Sequence, residues 1–262
     1  VIKKSDYPIL EYDPAPKAIV EPTEVIPNIN PPERCIVCFF REILEKYEAN
    51  GYLTPIHKLG SEIGVNLLYE FKFAGERIAT YFPGVGAPLA GGFLDEVIAL
   101  GCRKFIAIGS AGVLDGSIGL GDLVVPVSAV RDEGTSYHYL PPSREVEADP
   151  AVIEIIKRVL DRRQIPYILG KTWTTDGFYR ETPDKIQMRR AEGCLTVEME
   201  TAAFYAVAKF RGVPFGQILY GSDDVSGKEW SNRGSNRKNE IRRRLFDVAT
   251  EVVVKCELGK YG

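Results

Sequence analysis

The stretch Val197-Glu198-Met199-Glu200-Thr201-Ala202-Ala203 sets two carboxylates on either side of a thioether, where a loop passes into an alanine-rich segment. Such a run makes a poor core. A carboxylate accepts two hydrogen bonds at once, so one Glu at a helix start can hold a vicinal diol while a flexible Met packs beneath a sugar ring. The plainer alternative is a surface helix start whose acids answer the macrodipole. Downstream, Ala202, Ala203, Ala206, Val207 and Phe210 recur at helical spacing from Thr201 to Arg211, and Gly212 supplies a left-handed stop. Val213 to Tyr220 is short, apolar and bounded by glycine, and reads as a strand running into a loop, Gly221-Ser222-Asp223-Asp224. Helix then strand, with acids at the loop ends, predicts an α/β sheet. Ligands of such sheets gather beyond the carboxyl ends of the strands, where Asp223 would sit.

The same alternation extends upstream. Lys104-Phe105-Ile106-Ala107-Ile108 is a buried-type strand, followed by Gly109-Ser110-Ala111-Gly112, a small-residue turn whose amides and hydroxyl can approach an anion or a sugar. Gly119-Leu120-Gly121-Asp122 feeds a further β-branched strand from Leu123. Gly84-Val85-Gly86-Ala87-Pro88 precedes a helix whose apolar residues Phe93, Leu94, Val97, Ile98 and Leu100 stop at Gly101.

Taken in order, the glycine stretch at 84–88, Gly109-Ser110-Ala111-Gly112, Gly121-Asp122-Leu123-Val124, Val197-Glu198-Met199-Glu200 and Ser222-Asp223 resemble the nucleoside phosphorylase superfamily, over about residues 34–256. That superfamily includes purine nucleoside phosphorylase, uridine phosphorylase and related nucleosidases. Arg131 to Tyr139 and Thr174 to Tyr179 resemble the uridine phosphorylase branch in particular. The resemblance implies one αβα three-layer domain around a mixed central sheet, and cleavage of the bond joining a base to C1′ of ribose. It implies that Glu200 binds the ribose hydroxyls with Glu198 and Met199 beside it. Phe178 and Ser222 would meet the base, Asp223 would protonate it as it leaves, and Ser110 and Arg41 would meet phosphate. Because the uridine branch does not normally carry the Ser222-Asp223 pair, the base stays open. The neighbouring Asp224 should point away from Asp223, so one catalytic acid is expected rather than a dyad.

Departures from the pattern bear on the nucleophile. Cys35 to Glu42 lacks the glycine and aspartate of the family's phosphate loop, and only Arg41 survives from it. The family arginine before the Gly-Ser pair falls on Ala107. A phosphate dianion wants two or three cationic donors, which His57, Lys58, Arg233 and Arg237 could supplement. Three readings stay open: phosphorolysis, hydrolysis with Glu42 or another acid orienting water, and nucleoside binding without turnover.

Composition fits such an enzyme. The 262 residues are 45% hydrophobic, enough for one large core, and a formal charge of −3 excludes a dominant nucleic-acid footprint. No apolar run is long enough for a membrane span, and no signal segment opens the stretch, which begins at Val1 without Met. Five cysteines lack framework spacing. Cys35 and Cys38 lie in an apolar run and read as buried thiols, and two histidines are too few for a histidine metal cluster. A cytoplasmic protein without cofactor or metal is expected, with phosphate as co-substrate, a nucleoside as ligand, and a homodimer or hexamer as assembly.

Residues 1–33 hold seven of the 17 prolines and read as an extended arm before the domain at 34–262. Gly227 to Asn239 is polar and basic, and reads as a mobile lid over the base.

Overall fold

Short β-branched and apolar runs between glycine turns favour strands, and apolar residues at helical spacing favour helices that cover them. In the computed structural model, which describes residues 2–234 and 236–256, these pieces assemble around one ten-stranded mixed sheet. The arm holds a 3-10 turn at Pro8–Leu10 and one α-helical turn, α1 (Pro22–Val25). Then come β1 (Arg34–Cys38), α2 (Arg41–Ala49), β2 (Thr54–Leu59), β3 (Asn66–Phe73), β4 (Glu76–Tyr81), α3 (Ala87–Leu100) and β5 (Lys104–Val113). After them run β6 (Leu123–Asp132), α4 (Ser136–Tyr139), β7 (Glu145–Glu147), α5 (Pro150–Arg162), β8 (Tyr167–Thr175) and α6 (Pro183–Ala191). The chain continues through β9 (Cys194–Glu198), α7 (Thr201–Arg211), β10 (Phe215–Asp224) and α8 (Lys238–Lys255).

The strand order is β10-β6-β8-β9-β5-β1-β4-β3-β2, with β7 on β6. Because β10 also pairs with β5, strands β5, β9, β8, β6 and β10 close on themselves, while β1, β4, β3 and β2 extend as an open wing. Helices α5 and α8 pack on one side, and α3 and α7 pack together on the other. The three layers match the expected class. Ile36, Val37, Ile106, Ala107, Ile108 and Ile218 are wholly buried between them.

Two segments read as turns or loops are strand instead. Gly109 to Gly112 continues β5, and Gly221 to Asp224 continues β10, the two strands running parallel. Their small residues serve close approach: a Cβ on Gly109 would stand 3.3 Å from the Phe39 ring, and one on Gly112 3.0 Å from Val197 Cγ1. The Ser110 segment is therefore laddered, and what it offers a ligand is its exposed hydroxyl.

The start of the lid segment carries a backbone pairing that the sequence does not predict. Asp224 and Ser231 exchange both backbone hydrogen bonds, at 2.8 and 3.0 Å, closing residues 224–231 into a hairpin. Ser235, within the expected lid, lies outside the described residues, as do Val1 of the arm and the end of the domain from 257. The arm divides in two. Residues 2–20 bury no side chain, whereas Glu21, Pro31 and Pro32 are buried, and Ile26 and Ile29 pack on the core.

Candidate active site

Most of the predicted residues stand on or just beyond three strands, β5, β9 and β10, while Arg41 opens α2 and Phe178 follows β8. Glu198 ends β9, and Met199 and Glu200 lead into α7. The antiparallel pairing of Gly112 with Val197 runs Ser110 of β5 toward Met199. On β10, Gly221 faces Ala111 but Asp224 faces Val113, so β10 carries one extra residue. A bulge of this kind re-aims side chains, here at Ser222 and Asp223. The Asp223 carboxyl lies over Gly112, where an added Cβ would stand 3.6 Å from Oδ2.

The two glutamates do different things. Oε2 of Glu198 accepts the backbone N–H of Glu200 at 2.7 Å and of Thr201 at 2.6 Å, and Oε1 accepts the Thr174 hydroxyl at 2.6 Å. The Glu198 carboxylate is occupied in capping α7 and tying it to β8, so any part it has beside the sugar falls to the backbone around it. Glu200 accepts from Gly86 N–H at 2.6 Å through Oε1 and from Met199 N–H at 3.3 Å through Oε2, leaving each oxygen a lone pair for a ligand. Its bond to Gly86 reaches 114 residues back along the chain to the N-cap of α3. The loop there demands glycine: Gly84 and Gly86 have φ of 77° and 91°, and a Cβ on Gly84 would fall 2.2 Å from Leu89 Cδ2.

Burial raises both carboxyls, and Glu198, with its three close donors, is the better able to hold charge. Burial first, then the charge of Glu198, pushes Glu200 up to about 8 against the pull of the Gly86 and Met199 amides. Without ligand, burial and the neighbouring Glu198 thus drive Glu200 toward its protonated form.

Asp223 and Asp224 diverge as alternation requires. Oδ2 of Asp223 accepts the indole N–H of Trp230 at 2.8 Å. Asp224 takes Arg233 at 2.5 Å and the Ser226 N–H at 2.9 Å. Ser222 is buried beside them. Phe178 is half exposed in a 3-10 turn, its ring 4.0 Å from that of Tyr179, and is no core aromatic.

The anion end is sparse. Arg41 opens α2 with its guanidinium 4.4 Å over the Phe82 ring, exposed to solvent. Ala107 is fully buried and brings no charge. Arg233 is held by Asp224, while Glu42 is paired with Arg242 at 2.6 Å, which occupies the acid considered for orienting water. His57 and Lys58 stand on β2.

Sequence reasoning missed two residues here. Trp230 contacts Asp223 directly, and Glu181 is pushed up to about 7 by burial and by the charge of Asp223. Both line a cavity of 670 Å³ with Ile186, Arg190, Val225 and Lys228. The available signal was a lone Trp in an otherwise polar, basic stretch.

Fold and geometry together define an α/β protein whose β5, carrying Ser110, pairs with β9, which leads to Glu200, and with β10, which carries Asp223. Residues 33–253 match the family model described as Phosphorylase superfamily, and the chain belongs to that superfamily, which holds the nucleoside phosphorylases and nucleosidases. Among its relatives, a DeoD-type purine nucleoside phosphorylase from Bacillus cereus is 25% identical over 217 residues, covering 81% of this chain and 88% of the relative. Uridine phosphorylase from Vibrio fischeri superposes with a TM-score of 0.73 at 24% identity, covering 90% and 98% of the two chains. Purine nucleoside phosphorylase from Toxoplasma gondii, in complex with immucillin-H, gives 0.74 at 19%, covering 88% and 92%. AMP nucleosidase from Bacteroides thetaiotaomicron gives 0.70 at 20%, covering 87% and 89%. Phosphorylases and a nucleosidase thus share the fold.

Proposed function

We propose that this protein cleaves the N-glycosidic bond of a purine nucleoside by phosphorolysis, yielding free base and ribose 1-phosphate. The observation that carries the reading is Glu200: a buried carboxyl at a helix start, steered by the Gly86 and Met199 amides, with lone pairs left for a sugar diol. Sugar hydroxyls donating to it favour its charged form, and the resulting anion suits a ribose that becomes oxocarbenium-like. Asp223, across Gly112, supplies the base side. As C1′–N9 breaks, its electron pair passes into the base, N7 takes the Asp223 proton, and an oxygen of hydrogen phosphate bonds C1′. The phosphate proton and the recharging of Asp223 then balance through solvent.

Ser110 and Arg41 would hold the phosphate, with no cofactor or metal required. Hydrolysis is the second reading, favoured by one observation: Ala107 stands buried where an arginine would charge the anion pocket. The exposed Tyr7, Ile19 and Val20 of the arm suit packing on a neighbouring copy, in keeping with a homodimer or hexamer.

The test is base release measured against phosphate concentration in parent and Arg41→Ala. The expected outcome is saturable phosphate dependence, with Arg41→Ala raising the phosphate requirement at least about tenfold and leaving the nucleoside KM nearly unchanged. A parent rate independent of phosphate transfers the reading to hydrolysis; saturable nucleoside binding without release makes the protein a binder.

A further inference from the structure

The hairpin at residues 224–231 is built to put one indole on one carboxylate. In its antiparallel bridge Asp224 faces Ser231, so Val225 faces Trp230, and side chains alternate between faces. Asp223, Val225 and Trp230 share one face, with Trp230 diagonal to Asp223 and within reach of it. Asp224 and Ser231 share the other. Arg233 locks that second face, donating to Asp224 at 2.5 Å and to the Ile118 carbonyl at 2.6 Å. The Ser226 N–H donates to Asp224 Oδ1 at 2.9 Å and tightens the turn. Trp230 is 66% exposed, so no core packing explains its position; its indole bond to Asp223 at 2.8 Å does.

An indole N–H only donates. Of the two oxygens of a neutral carboxyl, the carbonyl oxygen is much the better acceptor, so a donor fixed at Oδ2 leaves the acid proton on Oδ1. We propose that Trp230 is a positioning residue for the leaving-base step: its N–H holds Oδ2 of Asp223 as the acceptor, so that Oδ1 carries the proton delivered to the base. The inference rests on the nucleoside-cleaving reading and deepens it, because the device serves only a base that must be protonated to leave. That class comprises purine nucleosides whose N7 is free. In the step, C1′–N9 breaks with its electron pair passing to the ring, the Oδ1 proton moves to N7, and Asp223 remains as a carboxylate whose Oδ2 still accepts the indole bond. Glu181 lines the same cavity as Trp230.

Trp230→Phe keeps the ring and removes the donor, while Trp230→Gln restores a donor without the ring. The readout is cleavage of inosine against cleavage of N7-methylinosine, whose base is already cationic and leaves without taking a proton. Trp230→Phe should lower kcat on inosine between about tenfold and a hundredfold with KM within about twofold, and leave the N7-methylated nucleoside near the parent rate. Trp230→Gln should recover part of the loss on inosine. Equal losses on both substrates, or none on either, would overturn the proposal.

A second readout separates this inference from the function it rests on. Only two tryptophans exist, and the other, Trp173, is fully buried with its N–H on Asp132 at 3.0 Å. In a ¹H–¹⁵N spectrum, the indole signal missing from Trp230→Phe identifies Trp230, and Asp223→Ala should shift it while leaving Trp173 in place. A parent inactive on both nucleosides sinks the functional reading; an indole signal unmoved by Asp223→Ala sinks the Trp230 contact whatever the activity.

Discussion

At the scale of single residues, the account turns on a proton held by Glu200. Its folded-state value of about 8 stands above the ordinary 4.5, so the unfolded chain loses this proton first as pH rises. The stability that the neutral carboxyl contributes is therefore fully present below pH 4.5 and is lost as pH climbs through 8. Glu200→Gln keeps an acceptor for Gly86 and cannot ionise. Its melting temperature should exceed the parent's at pH 8 by on the order of a few degrees, converge on it at pH 4.5, and be accompanied by loss of turnover. Scanning calorimetry across that range checks this; a constant offset would detach the proton from Glu200. Asp223→Asn belongs to the same scale. It should slow cleavage of purine nucleosides by about 10²–10⁴ and spare a nucleoside whose base leaves unprotonated. A uniform small loss across leaving groups would make Asp223 a mere contact.

At the scale of elements, the start of α7 is held by a carboxylate that substrate need never touch. Glu198→Ala leaves the buried N–H groups of Glu200 and Thr201 and the Thr174 hydroxyl without their acceptor. The expected cost is about 1–3 kcal/mol for each unsatisfied group, read as a drop in denaturant midpoint. Glu200→Ala should cost less stability and all of the activity, so the pair separates scaffold from chemistry. The sequence made α7, its Gly212 stop and the alternation of strands legible, because periodicity and glycine placement are local signals. The strands leading to Ser110 and Asp223 were legible, while their continuation through residues 109–112 and 221–224 was not. Glycine and serine suggest turns by propensity, and only the neighbouring β9, β10 and Phe39 reveal that small side chains were needed for close strand approach. The Trp230 hairpin was hidden for a related reason: a polar stretch without alternation gives no hint that one backbone pair, Asp224 with Ser231, folds it back.

At the scale of the molecule, the sheet closes where β10 meets β5, which sets the carboxyl ends of these two parallel strands at one edge with β9 running antiparallel beside β5. The arm lies outside that closure but is clamped to it. Arg211 of α7 binds Asp95 of α3 at 2.6 Å and Glu21 of the arm at 3.1 Å. Removing residues 1–20 should leave the melting temperature within about 2 °C of the parent, since residues 2–20 bury no side chain. Removing residues 1–33 should lower it well beyond that, because Glu21, Pro31 and Pro32 are buried. Equal melting temperatures for both truncations would make the whole arm an appendage.

The central claim is that this edge breaks the C1′–N bond of a nucleoside. Chromatographic detection of free base and ribose 1-phosphate, after incubation with adenosine, inosine or uridine and phosphate, tests it most directly. The account predicts base and sugar phosphate in equal amounts from the purine nucleosides, abolished by Glu200→Ala. Intact nucleoside in every incubation, with or without phosphate, would contradict it.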